Sequence, residues 1–341
     1  MQHRHKQREA PGAGSHAGGP CASGVSGVSD VPALPSGPRA IARLAPAGAS
    51  AAGATLQDAL RQLDWSRPWY APVAARGRCW QQAVQAAPEA YLEILTQSAA
   101  ALQLGTAAQL PLRFVAQASL PAGMAYEAHI AAEGAVPTRA NLHDFFNALV
   151  WCTFPRIKAQ LNALQARELA LHGVQPVRGG LRDALTLFDE NAVLFACAEP
   201  GLDTALRALD WQTLFVAQRA AWGTRIETWA FGHALMEKLV HPYKAITAHA
   251  WVVAVPCAYF EAAPTQRLAW LDQRVAAHLA AALHGPRDFA PLPVLGIPGW
   301  WDDNRHSEFY DDRAVFRTQR RDKPAMPTHH HAHHPPGTPP L

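Results

Sequence analysis

The 341 residues carry 30 Lys and Arg against 27 Asp and Glu, with 17 His, for a formal charge of +3. That surplus lies at the ends: residues 1–55 hold five bases and two acids, residues 318–341 three and one, leaving 22 bases and 24 acids between them. A central body with more acids than bases argues against a binder of duplex nucleic acid, whose affinity rests on Lys and Arg contacts to phosphate. No run of about 18 apolar residues occurs, so no membrane-spanning helix is expected. Cys21, Cys79, Cys152, Cys197 and Cys257 are widely separated and form no C-x-x-C pair. This argues against a zinc ribbon or a disulfide framework and fits a reducing compartment. The basic start MQHRHKQR runs into Gly, Ala and Pro rather than an apolar stretch. No secretory signal is apparent there, and a cytoplasmic location is expected.

Residues 1–55 are rich in Gly, Ala, Pro and Ser, and residues 318–341 in His and Pro. Both are too poor in large apolar groups to offset the cost of ordering and are expected to be disordered. The histidines His329, His330, His331, His333 and His334 could bind a divalent transition metal or form a solvated end. Residues 56–317 remain as a single globular domain with enough Leu, Val, Phe and Trp for a core.

In chain order, 56–70 reads as a short helix broken at Ser66, Arg67 and Pro68. Trp65, Trp69 and Tyr70 either staple it to the core or offer an aromatic platform. Residues 73–86 and 88–103 read as helices, Pro88 suiting a first turn. The period then changes: 112–118 and 125–131 read as strands joined by a turn at Pro121, Ala122 and Gly123. In the second, Glu127 and His129 would share one face, either solvated or at the edge of a pocket.

Residues 137–173 organise the rest. They read as two helices with a break at Phe154 and Pro155. Asn141 is placed to cap the first, with Asp144 three residues on. His143, Asn147 and Trp151 fall at i, i+4, i+8 on one face, while Leu142, Phe145, Phe146, Leu149 and Val150 cover most of the remainder. A His and an Asn on so enclosed a helix need partners, since each unsatisfied buried group costs about 1–3 kcal/mol. Past the break, Lys158, Asn162 and Gln165 form a polar stripe beside the apolar Ile157, Leu161 and Leu164.

After the Gly179 and Gly180 hinge come Arg182 and Asp183. Asp189, Glu190 and Asn191 then read as a turn before a strand at 193–197, although adjacent carboxylates also suit a hard metal or acid–base work. From 202 the order is helix (202–221), strand (225–231), helix (232–240), strand (245–255) and helix (265–284). His233, Glu237 and His241 recur at i, i+4, i+8 on the second of these helices. They could hold a divalent metal or relay protons, though the spacing is not the H-E-x-x-H of the zinc helix. Lys244, Thr247 and His249 follow, and could point into the same cavity. The Pro- and Gly-rich residues 291–316 read as a strap anchored by Trp300, Trp301, Phe309 and Tyr310. Its acids Asp302, Asp303, Asp311 and Asp312 would either sit in solvent or form a lid over a polar site. The class expected is α+β, with an α/β-like second half: helix-rich, with a small mixed sheet.

Four stretches, PTRANLHDFFNALVWCTFPRIKAQLN, RDALTLFDENAV, FGHALMEKLVHPYKAITAHAW and PLPVLGIPGWW with FYDD, resemble the proteobacterial family known as domain of unknown function 3025. The resemblance covers about 65–317 and implies a bacterial, non-secreted protein. It carries no reaction and no catalytic residue.

No G-x-G-x-x-G, P-loop or G-x-S-x-G is present. Two readings of different kinds remain. One is an enzyme of hydrolase or lyase type acting on a small anionic substrate. His143, His233, Asp144, Asp189, Glu190 and Glu237 would carry the acid–base or ligand chemistry, and Asn147, Lys158, Asn162, Arg182, Lys244 and His249 would bind the substrate. The other is a non-enzymatic protein holding a small ligand or a partner chain. An enzyme needs His143, His233 and a carboxylate converging on one void, whereas a binding module would leave them scattered or satisfied by backbone.

Overall fold

Capping chemistry sets the helix boundaries. In the computed structural model, which describes residues 55–173 and 179–318, Thr55 accepts the Asp58 amide and opens α1 (Leu56–Leu60). α2 (Ala74–Ala86) and α3 (Tyr91–Ala101) follow. Between α1 and α2, Trp65, Trp69 and Tyr70 are buried. The Tyr70 ring stacks on Phe146 with centroids 5.5 Å apart, and its hydroxyl donates to the Met236 carbonyl at 3.0 Å. This segment is a staple, and it holds a part of the chain far away in sequence.

β1 (Arg113–Ala116) pairs in parallel with β2 (Ala135–Thr138), Arg113 opposite Ala135. Between them runs α4 (Tyr126–Glu133), where the alternation suggested a strand. Ala and Glu dominate this segment and favour helix. Gly134, at φ +63, closes it with the left-handed residue common at helix ends. A Cβ there would also meet the Pro111 carbonyl oxygen at 2.4 Å.

α5 (Leu142–Thr153) starts as expected, with Asn141 Oδ1 accepting the Asp144 amide at 2.8 Å. α6 (Pro155–His172) begins directly after Phe154. Its free N–H groups at Arg156 and Ile157 donate to the buried Asp272 carboxylate at 3.1 and 2.9 Å. α7 (Gly180–Asn191) runs through Asp189, Glu190 and Asn191, where a turn was expected. Asp and Asn make turns when their side chains bond nearby backbone. Here Lys158 takes the Asp189 carboxylate, and the Asn191 amide bonds the Thr247 carbonyl and the His249 ring.

β3 (Ala192–Cys197) leads to α8 (Pro200–Arg207). The long helix expected to reach 221 stops early, with Leu209 at φ +58 and separate helical turns at Gln212–Ala217 and Arg219–Ala221. β4 (Ile226–Ala230), α9 (His233–Lys238), β5 (Thr247–Ala254), α10 (Pro264–Ala282) and β6 (Ala290–Pro293) complete the order. The sheet runs β4-β3-β5-β6, with β3 antiparallel to β4 and parallel to β5, and β5 antiparallel to β6. Every residue of β3 is buried, as befits a strand covered on both faces. The fold is a helix-rich α+β arrangement with a small mixed sheet, plus a second sheet of two strands.

Phe154, Phe188, Phe231, Trp251 and Phe289 pack ring to ring where the helix break meets the sheet. α6 packs on α4, α7 and α10, and α9 on α5 and α7. The strap is pinned from inside by Asn304, which donates to the Leu295 and Ile297 carbonyls. No described helix is long and apolar enough to cross a membrane. Residues 1–54, 174–178 and 319–341, which include Cys21 and the His-rich run, lie outside the described residues.

Candidate functional site

α5, α6, α7 and α9 bring their polar faces to one place. Gly232 makes this possible. A Cβ on it would lie 2.5 Å from the Glu190 carbonyl oxygen and 2.6 Å from the Asn191 Cα, so only glycine lets the start of α9 touch the end of α7. His233 follows at once and enters the interior beside Asp189.

A continuous chain of contacts results. Glu237 Oε2 lies 3.0 Å from His143 Nδ1, and His143 Nε2 lies 3.0 Å from His233 Nε2, the two rings standing nearly perpendicular. His233 Nδ1 is 3.8 Å from Asp189 Oδ2. Lys158 Nζ donates to Asp189 Oδ1 at 2.5 Å and to Asn147 Oδ1 at 2.9 Å, and sits 5.3 Å from the Trp151 ring centroid. Asn147 Nδ2 donates to the Tyr126 hydroxyl at 3.2 Å. On the far side, Asn162 Nδ2 holds the Glu127 carboxylate at 2.7 Å.

The two imidazoles are electrostatically unlike. The hydrogen bond to Glu237 holds His143 above its ordinary value, against partial burial. Burial pushes His233 down to about 4, with Lys158 and His143 adding to the effect and Asp189 opposing it. Of the two imidazoles His143 is the more basic, so the proton between the two Nε2 atoms is favoured on His143 and the lone pair on His233. Burial pushes the Asp189 carboxyl up, but Lys158 beside it more than offsets this, and the group stays ionised. Glu127 is raised, first by burial and then by Asp189.

A hollow of about 450 Å³ opens over this chain, lined by His143, His233, Asn147, Asp189, Tyr126 and Glu127 among others. A second, of about 480 Å³, adjoins it and shares the wall of Tyr126, Glu127, Asp189 and Glu190.

Of the residues singled out in the sequence, His143, Asn147, Lys158, Asp189, His233 and Glu237 meet directly, with Asn162 behind Glu127 and Glu190 at the rim. Asp144 reaches the hollow, but its carboxylate is taken by the Arg139 amide and guanidinium at 2.6 to 3.0 Å and by its place at the head of α5. Lys158 is buried, held by Asp189 and Asn147, and lines neither hollow, so it does not face an anionic substrate there. Arg182 lies in the adjoining hollow. Lys244 is elsewhere, paired with Asp312 at 3.1 Å and set over the Phe309 ring. His249 bonds Asn191 and faces Phe289, outside the lining of either hollow. The strap acids do not line the hollows either, so no lid forms from them.

The metal stripe is not assembled: α9 ends at Lys238, and His241 lies past it in an exposed turn. Among the described residues, no group of three or more His, Cys, Asp or Glu is arranged to hold a metal ion. The pair His143 and His233 offers two nitrogens. Tyr126 went unrecognised because 125–131 reads as a strand, and Glu127, expected to share a face with His129 either in solvent or at a pocket edge, parts from it. On α4, residues two apart point about 200° apart, which sends Glu127 to the cleft and His129 into the interior. Gly134 was the available signal for a helix end.

A family model described as a protein of unknown function (DUF3025) matches residues 112–320. The chain belongs to this family. No curated protein and no solved structure matches it. The DUF3025 span opens at the first sheet, so α1 to α3 precede it, a narrower reach than the resemblance from about 65 suggested. Every cleft residue named above lies inside the DUF3025 span.

Proposed function

We propose that the cleft is the active centre of an enzyme of hydrolase or lyase type, in which His143 and His233 move a proton to and from a small polar substrate. The observation that carries this reading is the 3.0 Å approach of their Nε2 atoms at the wall of an open hollow. The hydrogen bond to Glu237 favours the protonated form of one imidazole, while burial favours the neutral form of the other. A water or substrate hydroxyl that inserts between the two rings replaces their mutual hydrogen bond, accepting from His143 and donating to His233. Asp189 and Lys158 lie behind His233, whose buried Nδ1 approaches Asp189 at 3.8 Å and has no hydrogen-bond partner among the described residues.

The alternative of a passive binding module is less well supported, since the groups converge and bond one another rather than backbone. A panel of ester, amide and carbon–oxygen lyase substrates tests the proposal. Turnover is expected to fall about 10²–10⁴-fold in His143→Gln and His233→Asn, with the melting temperature of His143→Gln near that of the parent. Large losses of melting temperature in both variants, with no turnover in the parent, would instead mark a structural polar core.

A further inference from the structure

The geometry points to a ligand for the second hollow: a linear small molecule with an amine at one end and a carboxylate at the other. One wall of that hollow is α7, which presents Arg182, Thr186, Asp189 and Glu190 at i, i+4, i+7 and i+8, hence on one face. Arg182 and Glu190 stand at opposite ends of this row, about 12 Å apart along the helix axis. Among the described residues, the Arg182 guanidinium is held only by the Gly173 carbonyl, at 3.5 Å, and by no carboxylate. Glu190 likewise forms no ion pair among the described residues, whereas the neighbouring Asp189 and Asp144 are each paired.

Among the described residues the wall thus carries a positive charge without an ion-pair partner near the start of a twelve-residue helix and a negative charge without one at its end. The helix dipole adds to both, favouring an anion at the first turn and a cation at the last. Met124 and Leu169 line the space as well, which suits a methylene chain between the two charges. The amine end would then lie at Glu190, on the wall shared with the imidazole pair. As a statement about the substrate, this rests on the catalytic reading of the first hollow; the binding itself is tested without it.

The test is calorimetric titration of the full chain with omega-aminooctanoate, gamma-aminobutyrate, octylamine and octanoate. Omega-aminooctanoate is expected to bind about tenfold or more tightly than each of the others, the gain of one charge-assisted contact. Arg182→Gln should erase its advantage over octylamine, and Glu190→Gln its advantage over octanoate. Arg182→Lys, which keeps the charge, should retain most of the preference. Equal affinity for all four probes, no binding of any, or a preference that survives both neutral substitutions would overturn the assignment. His143→Gln leaves probe binding intact, so an absence of turnover and an absence of binding are separate failures.

Discussion

His143 and His233 are the same side chain set to opposite tasks by what surrounds them. The difference gives each a distinct dependence on pH. His233 is neutral in the fold down to about 4, whereas in an unfolded chain it takes up a proton near 6.5. The unfolded state therefore binds more protons between those values, and stability falls as pH drops from about 6.5 toward 4. His143 has the reverse sign: its contribution is complete below its ordinary value and is lost as pH rises through its raised one. Urea unfolding at a series of pH values should show a decline below pH 6.5 that becomes shallower in His233→Asn. An equally steep decline in that variant would mean the buried imidazole is charged. Lys158 offers a second test at this scale. It is the buried partner of a buried carboxylate, so Lys158→Ala strands an uncompensated charge at Asp189 and should cost about 3–5 kcal/mol. Adding Asp189→Leu should recover much of that loss, because the pair as a whole is less valuable than either half is harmful to lose.

The elements matter because the chain of side chains exists only where four helices meet, and the contact of α7 with α9 is the narrowest point. Gly232→Ala places a methyl group against backbone that cannot yield as a flexible side chain would. The variant is expected to lose about 1–3 kcal/mol and, more tellingly, to separate the two imidazoles. In NMR titrations, His233 should then move toward its ordinary value while helix content in circular dichroism is unchanged. An unaltered His233 titration would show that the close approach does not hold the pair. Much of this arrangement could be read from local pattern. The break at Phe154 and Pro155 follows from proline's missing N–H, and the face shared by His143, Asn147 and Trp151 follows from helical periodicity. What failed was whatever depended on distant partners. Asp272 caps α6 from 115 residues away, and the Asp189 carboxylate is drawn from turn-making by Lys158 on another helix. The alternation at 125–131 was too short to separate strand from helix, and the error hid Tyr126 and paired Glu127 wrongly with His129.

For the whole molecule the distribution of charge decides what the folded body and the ends can each do. The two ends carry the basic surplus, while the body between them carries two more acids than bases. Two carboxylates of the cleft, Asp144 and Asp189, take up the nearby cations Arg139 and Lys158. Any affinity for polyanions should therefore belong to the ends and vanish with them. The histidines near the C-terminus likewise offer imidazoles at low sequence separation, suited to nickel or zinc, whereas the described residues bring no three ligands together. Both points can be settled by comparing the full chain with a fragment spanning residues 55–318. The fragment contains α1 to α10 and all six strands, so its melting temperature should lie within about 2 °C of the parent's. It should lose retention on a nickel resin and any salt-sensitive binding to duplex DNA, while keeping the His143 and His233 titrations. Stoichiometric zinc in the dialysed fragment would instead put a metal in the folded body. The two facing Nε2 atoms would then be read as ligands rather than as a proton couple, and metal loss on His143→Gln would confirm that revision.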